Sequence, residues 1–311
     1  MTFTQLEYII AVDTCRHFSL AAEQCFVTQP TLSMQIQKLE AELGTKIFDR
    51  SKQPVIPTES GEEIIKQARV IIHEVKMMHQ SVKDKQGLVE GELKIGIIPT
   101  LAPYLLPLFL QSFLSRYPDI KIKVKEMTTE MLVENLKSGR IDAGLLVTPL
   151  QDNSIIEYPL FYEELVAYVS KSNAAFKKNY VLADDIDLRE LWLLEEGHCF
   201  RSQIVSLCEL KKQSNVQSHF EYEAGSVETL RKMVEMNKGI TILPELATMD
   251  FSVKQQNMIR HFKSPAPVRE VSLVTHRNYV KKKLVDVLKE EVLKSLPKKI
   301  TMNKSGNVIK I

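Results

Sequence analysis

The sequence predicts an α/β chain that begins with a small all-α unit, a winged helix-turn-helix. One long linker helix then joins this unit to a larger α/β part. Three observations support this architecture. Short helical patterns separated by turn signals fill the first 58 residues, an apolar heptad pattern runs over residues 64–82, and strand-like apolar runs alternate with helical patterns from residue 93 onward.

The first helices follow from apolar spacing and capping residues. An amphipathic pattern starting at Phe3 predicts the first helix, and Ser19 is the expected N-cap of a second over residues 20–25. Thr28 or Gln29 is expected to cap a third helix, which Gly44 ends. The apolar face of this third helix comprises Leu32, Ile36, Leu39 and Leu43.

Two helices joined by a tight turn form a helix-turn-helix, whose second helix enters the DNA major groove by its N-terminal residues. Residues 46–57 predict a two-stranded wing with a basic tip, although residues 1–60 carry more acidic than basic side chains. The DNA hypothesis therefore rests on pattern and not on charge, and a small helical domain with ordinary caps is the alternative. The candidate DNA contacts are Gln29, Pro30, Thr31, Ser33, Gln35, Arg50 and Lys52.

The linker helix is predicted from Thr58, its expected N-cap, to about residue 85. A helix of that length is about 40 Å long, and pairing with a second chain is its natural use. Packing against its own winged unit is the alternative. The heptad seam consists of Ile64, Ala68, Ile71, Val75, Met78 and Val82.

The α/β part contains alternating strand and helix patterns, which are typical of a parallel sheet. Thr100, Thr129 and the 196–199 loop fall where strands end and helices begin, so they can converge on one cleft. Residues 296–311 are polar and Lys-rich, and we expect them to be loose. The strands are expected at 93–98, 120–124, 141–147, 165–169, 191–194, 219–222, 239–244 and 271–274, and the helices at 100–117, 130–138, 227–235 and 279–293.

Two of the four cysteines lie in one short segment. Cys199 has His198 before it and Arg201 after it, and nearby positive charge lowers a thiol pKa, whereas Cys208 lies among apolar residues. If 199–208 were one helix, the two sulfurs would be roughly 13 Å apart on opposite faces. A disulfide needs Cα atoms within about 7 Å, so it could form only if the segment refolded. Two unrelated cysteines, one of them in a core, are the alternative; Cys15 and Cys25 are expected to be core residues.

Composition narrows the class of protein. The 44% hydrophobic and 26% charged content is ordinary for a globular protein. We find no apolar run long enough to span a membrane and no secretory pattern, which predicts a cytoplasmic protein without a membrane partner. In that compartment a disulfide is usually transient. No cysteine or histidine spacing resembles a metal site, so no metal and no cofactor are expected.

Several short segments match a known motif, namely residues 19–23, 28–33, 39–44 and 48–50, with Thr-x-x-Gly at 58–61. Together they resemble the N-terminal motif of LysR-type transcription regulators. The resemblance implies an effector domain of two lobes, like a periplasmic binding protein, with crossings near residues 165 and 268. The implied domains are the winged helix-turn-helix at 1–58, the linker (dimerisation) helix at 59–88, the effector domain at 89–296 and a flexible tail at 297–311. Lobe I would span about 89–164 and 269–296, and lobe II about 165–268.

Three parts of the chain point to one group within that family, namely residues 197–201 with Cys208, residues 98–107, and Arg269. They resemble the peroxide-sensing OxyR regulators. The resemblance implies an activator that is not an enzyme, in which hydrogen peroxide oxidises Cys199 (peroxidatic) and Cys208 (resolving) completes a redox-active disulfide. Promoter binding would then change and control antioxidant genes during oxidative stress. Thr100, Thr129, His198 and Arg269 are the candidate peroxide-binding residues.

The resemblance also implies partners. These are promoter DNA, a second chain paired through the linker helix, a homotetramer on DNA, RNA polymerase and a cellular dithiol reductant. Two rival functions stay open: a LysR-type regulator answering a small organic effector bound between the lobes, and a thiol peroxidase using the same cysteine.

Overall fold

The computed structural model describes residues 1–85, 89–195, 199–208, 224–277, 279, 282–300 and 306–309, apart from the side chains of 76, 77, 79–85 and 188. The chain divides into two compact units. One comprises Met1–Leu88 with Lys137–Arg140, and the other comprises Val89–Leu136 with Ile141–Ile311. Among the helices in these ranges, none combines the length and apolar character needed to cross a bilayer.

The first unit contains three short helices and a wing, as the sequence predicts. Thr28 caps the third helix through its hydroxyl, and Gly44 ends it with φ 70°. The second helix differs from the prediction, because His17 and not Ser19 is its N-cap and accepts the Ser19 N–H on Nδ1. The elements are α1 (Phe3–Cys15), α2 (Phe18–Gln24), α3 (Gln29–Leu43) and the antiparallel pair β1 (Phe48–Asp49) and β2 (Ile56–Pro57).

The linker helix α4 (Glu59–Lys85) starts after Thr58, whose Oγ1 accepts the Gly61 N–H at 3.0 Å. Most of its predicted seam packs inside the first unit. Ala68 lies in the core of this unit, and Ile64 and Ile71 are half-buried against the same core, so this part of the helix packs on its own winged unit. Val75, which is half-buried, and Met78, which is 64% exposed, lie outside that core and continue an apolar stripe along α4.

The second unit is built on a mixed sheet. In the described part of the chain its nine strands run in the order β4-β3-β5-β10-β6-β9-β7, with β8 on β6 and β11 on β10. The strands are β3 (Gly91–Ile97), β4 (Ile120–Glu126), β5 (Ala143–Thr148), β6 (Ile155–Val169), β7 (Tyr180–Val181), β8 (Ile240–Pro244), β9 (Ile259–Phe262), β10 (Pro267–His276) and β11 (Asn307–Val308). The helices are α5 (Ala102–Arg116), α6 (Thr129–Lys137), α7 (Cys199–Leu207), α8 (Val227–Met236), α9 (Val253–Gln256) and α10 (Lys282–Ser295).

Strand β6 links two parts of this sheet. Residues up to Glu164 pair with β10, and residues from Leu165 onward pair with β8. Strand β3 pairs in parallel with β4 and β5, and the pairs β7–β9 and β10–β11 are also parallel. Strand β10 is antiparallel to β5 and β6, so the sheet is mixed and not purely parallel. The two long strands β6 and β10 bring residues far apart in sequence to one place, and the candidate site lies there.

Two predictions about this unit are wrong in part. Residues 191–194 form isolated bridges from Leu191 and Leu194 instead of a strand, while the predicted strand at 219–222 lies outside the described residues. The flexible tail predicted at 297–311 is also ordered in one part. Ile309 is 8% exposed within the apolar core, and its N–H donates to Val268 O at 2.9 Å. A short apolar stretch after the Lys-rich residues is enough to add one strand to β10.

Candidate functional site

Cys199 is the first residue of α7, and it is 9% exposed. Helix α7 lies against the core because Phe200 and Ile204, at helical spacing, are fully buried. The backbone N–H groups of Cys199 and Phe200 point toward the sulfur and lower the pKa of the thiol. The sequence thus places this cysteine at a helix N-terminus, where backbone donors favour negative charge.

Arg269, the third residue of β10, is fully buried beside this cysteine. Its Nε donates to Glu163 Oε2 at 2.7 Å, and its two terminal nitrogens donate to Thr100 Oγ1 at 3.1 Å and Thr100 O at 3.2 Å. The guanidinium carbon lies 5.3 Å from the centre of the Phe200 ring. A guanidinium has five N–H groups, so the three hydrogen bonds to described residues leave donor capacity near Cys199.

Thr129 also faces the Cys199 sulfur. Its position just before the helix expected at 130–138 suggests an N-cap. The cap of α6 is instead Thr128, whose Oγ1 accepts the Met131 N–H at 3.4 Å, and Thr129 is the first helical residue. Its hydroxyl lowers the pKa of the Cys199 thiol. The same Oγ1 is buried and has no well-formed hydrogen bond to a nitrogen or oxygen of the described residues. The hydroxyl is therefore free to act at the sulfur.

Burial is the largest influence on Cys199 and raises its thiol pKa above the ordinary value. Thr129, Arg269 and the two backbone N–H groups oppose that rise without reversing it. The sequence suggested Arg201 as the activating cation, but Arg201 donates to Leu194 O at 2.6 Å and does not contribute to this pKa shift. Burial therefore favours the neutral thiol of Cys199, whereas the cationic and hydroxyl groups near the sulfur favour the thiolate.

A raised thiol pKa gives a specific pH dependence. The thiolate fraction rises about tenfold per pH unit while the pH is below the pKa. We therefore expect the rate constant for Cys199 oxidation by peroxide to increase from pH 6 to pH 9 without reaching a plateau near neutrality. Stopped-flow measurement on the reduced protein checks this, with Trp192 fluorescence as the signal. A flat profile above pH 6 would mean that the thiol is already ionised.

Cys208 lies just beyond the other end of α7, and its N–H donates to Ile204 O at 3.0 Å. It is half-buried against the core, and burial together with Asp184 raises the pKa of its thiol to about 11. Neither cysteine is in a disulfide. One continuous helix separates the two, so the expectation that 199–208 is helical is confirmed up to Leu207, with Cys208 in a turn.

The structure brings together Cys199, Thr129, Arg269 and Thr100, while His198 lies outside the described residues. It adds Glu163, which sequence reasoning missed. Glu163 is fully buried and accepts both the Arg269 Nε–H and, at 2.8 Å, the Leu246 N–H. The available signal was a pair of adjacent glutamates, Glu163 and Glu164, between apolar and aromatic residues of β6. Among the described residues, no cluster of three or more His, Cys, Asp or Glu side chains could hold a metal ion.

The candidate DNA-contacting residues lie in the first unit. Gln29, Pro30 and Thr31 at the start of α3 are exposed, as is Lys52 in the wing, and Ser33 and Gln35 are partly exposed. Arg50 Nη1 donates to Ser33 Oγ at 2.8 Å, so the wing and α3 present these two side chains together. The guanidinium of Arg50 also lies 3.5 Å from a carboxylate oxygen of Glu40, which is buried. Cys15 and Cys25 are half-buried against the core of this unit.

Both units match one family. The model described as "Bacterial regulatory helix-turn-helix protein, lysR family" matches residues 3–62, and the "LysR substrate binding domain" matches residues 86–297. The chain therefore belongs to the LysR family of bacterial helix-turn-helix regulators, which are DNA-binding transcription regulators.

Within this family the similar proteins include OxyR regulators. A "Hydrogen peroxide-inducible genes activator" from Haemophilus influenzae is 36% identical over 274 residues, covering 88% of this chain and 90% of the relative. A full-length OxyR variant from Pseudomonas aeruginosa has a TM-score of 0.78 and 31% identity, covering 94% and 98% of the two chains. An OxyR variant from Corynebacterium glutamicum, described as bound to H2O2, has a TM-score of 0.62 and 26% identity, covering 94% and 92%.

Proposed function

We propose that this chain is a transcription regulator that senses hydrogen peroxide through Cys199 and Cys208. One observation carries the proposal: Arg269 and Thr129 converge on the Cys199 thiol at one end of α7, and Cys208 lies at the other end. The similarity to peroxide-inducible activators supports the same stimulus. The response would be activation of antioxidant genes.

The first step oxidises Cys199. The proton leaves the thiol, the sulfur attacks one peroxide oxygen, an S–O bond forms and the O–O bond breaks. The sulfur loses two electrons to peroxide, and the departing oxygen takes up a proton and leaves as water. Donors are needed where negative charge develops on that oxygen. The spare N–H groups of Arg269 and the hydroxyls of Thr129 and Thr100 are the groups we assign to this role, and His198 remains a candidate.

The second step joins the two cysteines. The Cys208 thiol attacks the Cys199 sulfenic acid, an S–S bond forms and a second water leaves. Nine helical steps separate the cysteines by roughly 13 Å, so α7 must unwind first. Unwinding would withdraw Phe200 from the core and break the bond from Gln203 Nε2 to Ile309 O, which is 3.2 Å long. Oxidation would therefore change the packing around the linked strands β6 and β10.

That change is the proposed signal to DNA. The stripe of α4 that contains Val75 and Met78 would pair with a second chain, and two such dimers would form a tetramer on promoter DNA. Altered packing in the second unit would change the spacing of the DNA-binding units and the contact with RNA polymerase. A cellular dithiol would supply two electrons to restore both thiols. We place this cycle in the cytoplasm.

The proposal as a whole is tested by footprinting. The reduced protein is bound to promoter fragments, the DNase footprint is recorded before and after one equivalent of peroxide, and free thiols are counted by alkylation. We expect the footprint to change as two thiols per chain are lost. An unchanged footprint after complete oxidation would reject peroxide sensing, and a footprint altered only by added carboxylates would favour the organic-effector alternative.

Ser33 provides a test of the DNA-contacting surface. Ser33→Ala removes a hydroxyl that can meet DNA and also releases Arg50 from its 2.8 Å bond. We expect operator binding to weaken by about 1–3 kcal/mol, with redox behaviour unchanged. Fluorescence anisotropy with an operator selected from random DNA measures this change in affinity. Ser115→Ala, on α5 of the other unit, is the matched control. Wild-type affinity of Ser33→Ala would show that α3 does not read DNA.

Val75 provides a test of assembly. Val75→Glu places a carboxylate in the half-buried stripe of α4, where burial of an unpaired charge is costly. We expect sedimentation velocity to show self-association weakened by about tenfold or more, with operator binding reduced in parallel. Gln67→Glu adds the same charge on an exposed position of the helix and should leave the oligomer intact. Equal oligomers for both variants would mean that this stripe is not the interface.

A further inference from the structure

The turn between α2 and α3 has an unusual residue at its key position. Helix α2 ends at Gln24 with Cys25 as its C-cap. The Phe26 N–H donates to Glu23 O at 3.1 Å, and the Val27 N–H donates to Ala22 O at 3.0 Å. These two bonds define a Schellman motif, in which the residue after the C-cap adopts a left-handed conformation and is usually glycine. Here that residue is Phe26, with φ 55°.

A phenylalanine in the left-handed region is strained, because its Cβ crowds the backbone. The strain could be offset if the ring packed inside the unit, but the Phe26 side chain is 95% exposed. Arg16 is the other non-glycine residue with positive φ in the described part of the chain, and its side chain pairs with Asp13 at 3.0 Å. Backbone strain without an internal contact to balance it is a feature of functional positions.

The position of Phe26 indicates what its ring contacts. Thr28, two residues later, is the N-cap of α3, and the candidate DNA contacts start at Gln29. An exposed aromatic ring at the entry to this helix is continuous with the DNA-contacting surface of a helix-turn-helix. Apolar groups are available on DNA at that place, namely deoxyribose carbons along the groove edge and thymine methyl groups within it.

We propose that the Phe26 ring is a DNA contact, packing against apolar groups of the operator when α3 enters the major groove. This inference rests on the part of the proposed function in which α3 binds DNA. The left-handed backbone holds the ring outward beside the N-terminus of α3, so the contact forms without reordering the turn. Because the ring is uncharged, it displaces no counterions from DNA.

Phe26→Gly separates folding from binding. Glycine relieves the left-handed strain, so the variant should unfold at the same temperature as the wild type or a higher one. Its dissociation constant for an operator selected from random DNA should rise about five- to tenfold. The slope of log K against log salt should stay unchanged, since no phosphate contact is lost. Met236→Ala, an 81% exposed apolar residue in the other unit, is the control and should change neither property.

A thymine-to-uracil series in the operator distinguishes the two DNA groups. If the ring contacts a thymine methyl group, uracil should weaken operator binding by the wild type but not by Phe26→Gly. If the ring contacts deoxyribose, Phe26→Gly should lose the same operator affinity on the thymine and uracil DNAs. Wild-type affinity of Phe26→Gly, with Ser33→Ala still weakened, would overturn the proposal and leave the DNA surface intact. A lower unfolding temperature, or dissociation of the DNA-free oligomer, would also overturn it, because the ring would then pack on protein.

Discussion

Cys199→Ser should abolish the peroxide response, because serine cannot be oxidised at this step and is a poor nucleophile at neutral pH. The variant should retain the reduced footprint at all moderate peroxide concentrations, and a reporter gene under its promoter should stay at the uninduced level. The substitution replaces one sulfur atom by oxygen in a side chain that is 9% exposed, so the fold should be retained. Footprinting and reporter activity measure the effect.

Cys208→Ser is the matched control for this prediction. Its Cys199 should still react once with peroxide and leave a sulfenic acid that dimedone traps, without an intramolecular disulfide. The two serine variants should therefore differ in dimedone labelling although neither forms the disulfide. A peroxide-dependent footprint change in Cys199→Ser would be incompatible with the proposed role of this cysteine.

Replacing Arg269 is expected to have the second large effect, on the rate of Cys199 oxidation. Its test must allow for the buried Glu163, which pairs with Arg269. Arg269→Met alone leaves the Glu163 carboxylate buried without its cation, which we expect to cost about 3–5 kcal/mol of stability. The double variant Arg269→Met/Glu163→Gln removes both charges and should recover most of that loss. It should nevertheless oxidise about 100- to 1,000-fold more slowly, because the donors for the departing oxygen are missing.

Two measurements separate these effects. Chemical denaturation gives the stability of the single and double variants, and competition for peroxide with a reference thiol gives the second-order rate constant of Cys199. Glu163→Gln alone keeps Arg269 and an acceptor for its Nε, so it should react much faster than the double variant. A double variant that is stable and oxidises at the wild-type rate would remove Arg269 from the chemistry.

Local signals in the sequence were sufficient for much of the fold. The spacing of Leu32, Ile36, Leu39 and Leu43 predicted the buried face of α3. The first three side chains are 0% exposed, whereas Leu43, at the end of the helix, is 41% exposed. Thr28, Gly44 and Thr58 were identified as helix ends because capping depends on a residue and its near neighbours. Pairing across β10, which joins it to both β5 and β6 in antiparallel fashion, has no such local signal, and a parallel sheet was expected instead.

The candidate site shows the same division. The sequence and its resemblance to a known family identified five residues of the site, namely Cys199, Cys208, Thr100, Thr129 and Arg269. The relative positions of these side chains were not predictable. Arg201, close in sequence to Cys199, bonds to a backbone carbonyl, while Arg269 is brought to the sulfur by β10. A sequence neighbour of a helical residue often points away from it, whereas a strand crossing the sheet can place a distant residue beside it.

Two further features depended on long-range packing. Glu163 was missed because only the fold places its carboxylate against Arg269, and a glutamate in a strand pattern normally indicates a solvated face. Residues 306–309 were expected to be loose because the preceding stretch is rich in lysine. Pairing with Pro267 and Val268 and burial of Ile309 outweigh that local composition.

The central claim is that Cys199 is oxidised first and then pairs with Cys208, and peptide mass spectrometry after a short peroxide pulse tests it most directly. Trypsin places the four cysteines on separate peptides, residues 1–16, 17–38, 190–201 and 202–211. With alkylation at successive times, the account predicts sulfenic acid on 190–201 first, then a disulfide between 190–201 and 202–211, with Cys15 and Cys25 alkylated throughout. First oxidation at any other cysteine, with Cys199 still a thiol, would contradict the account.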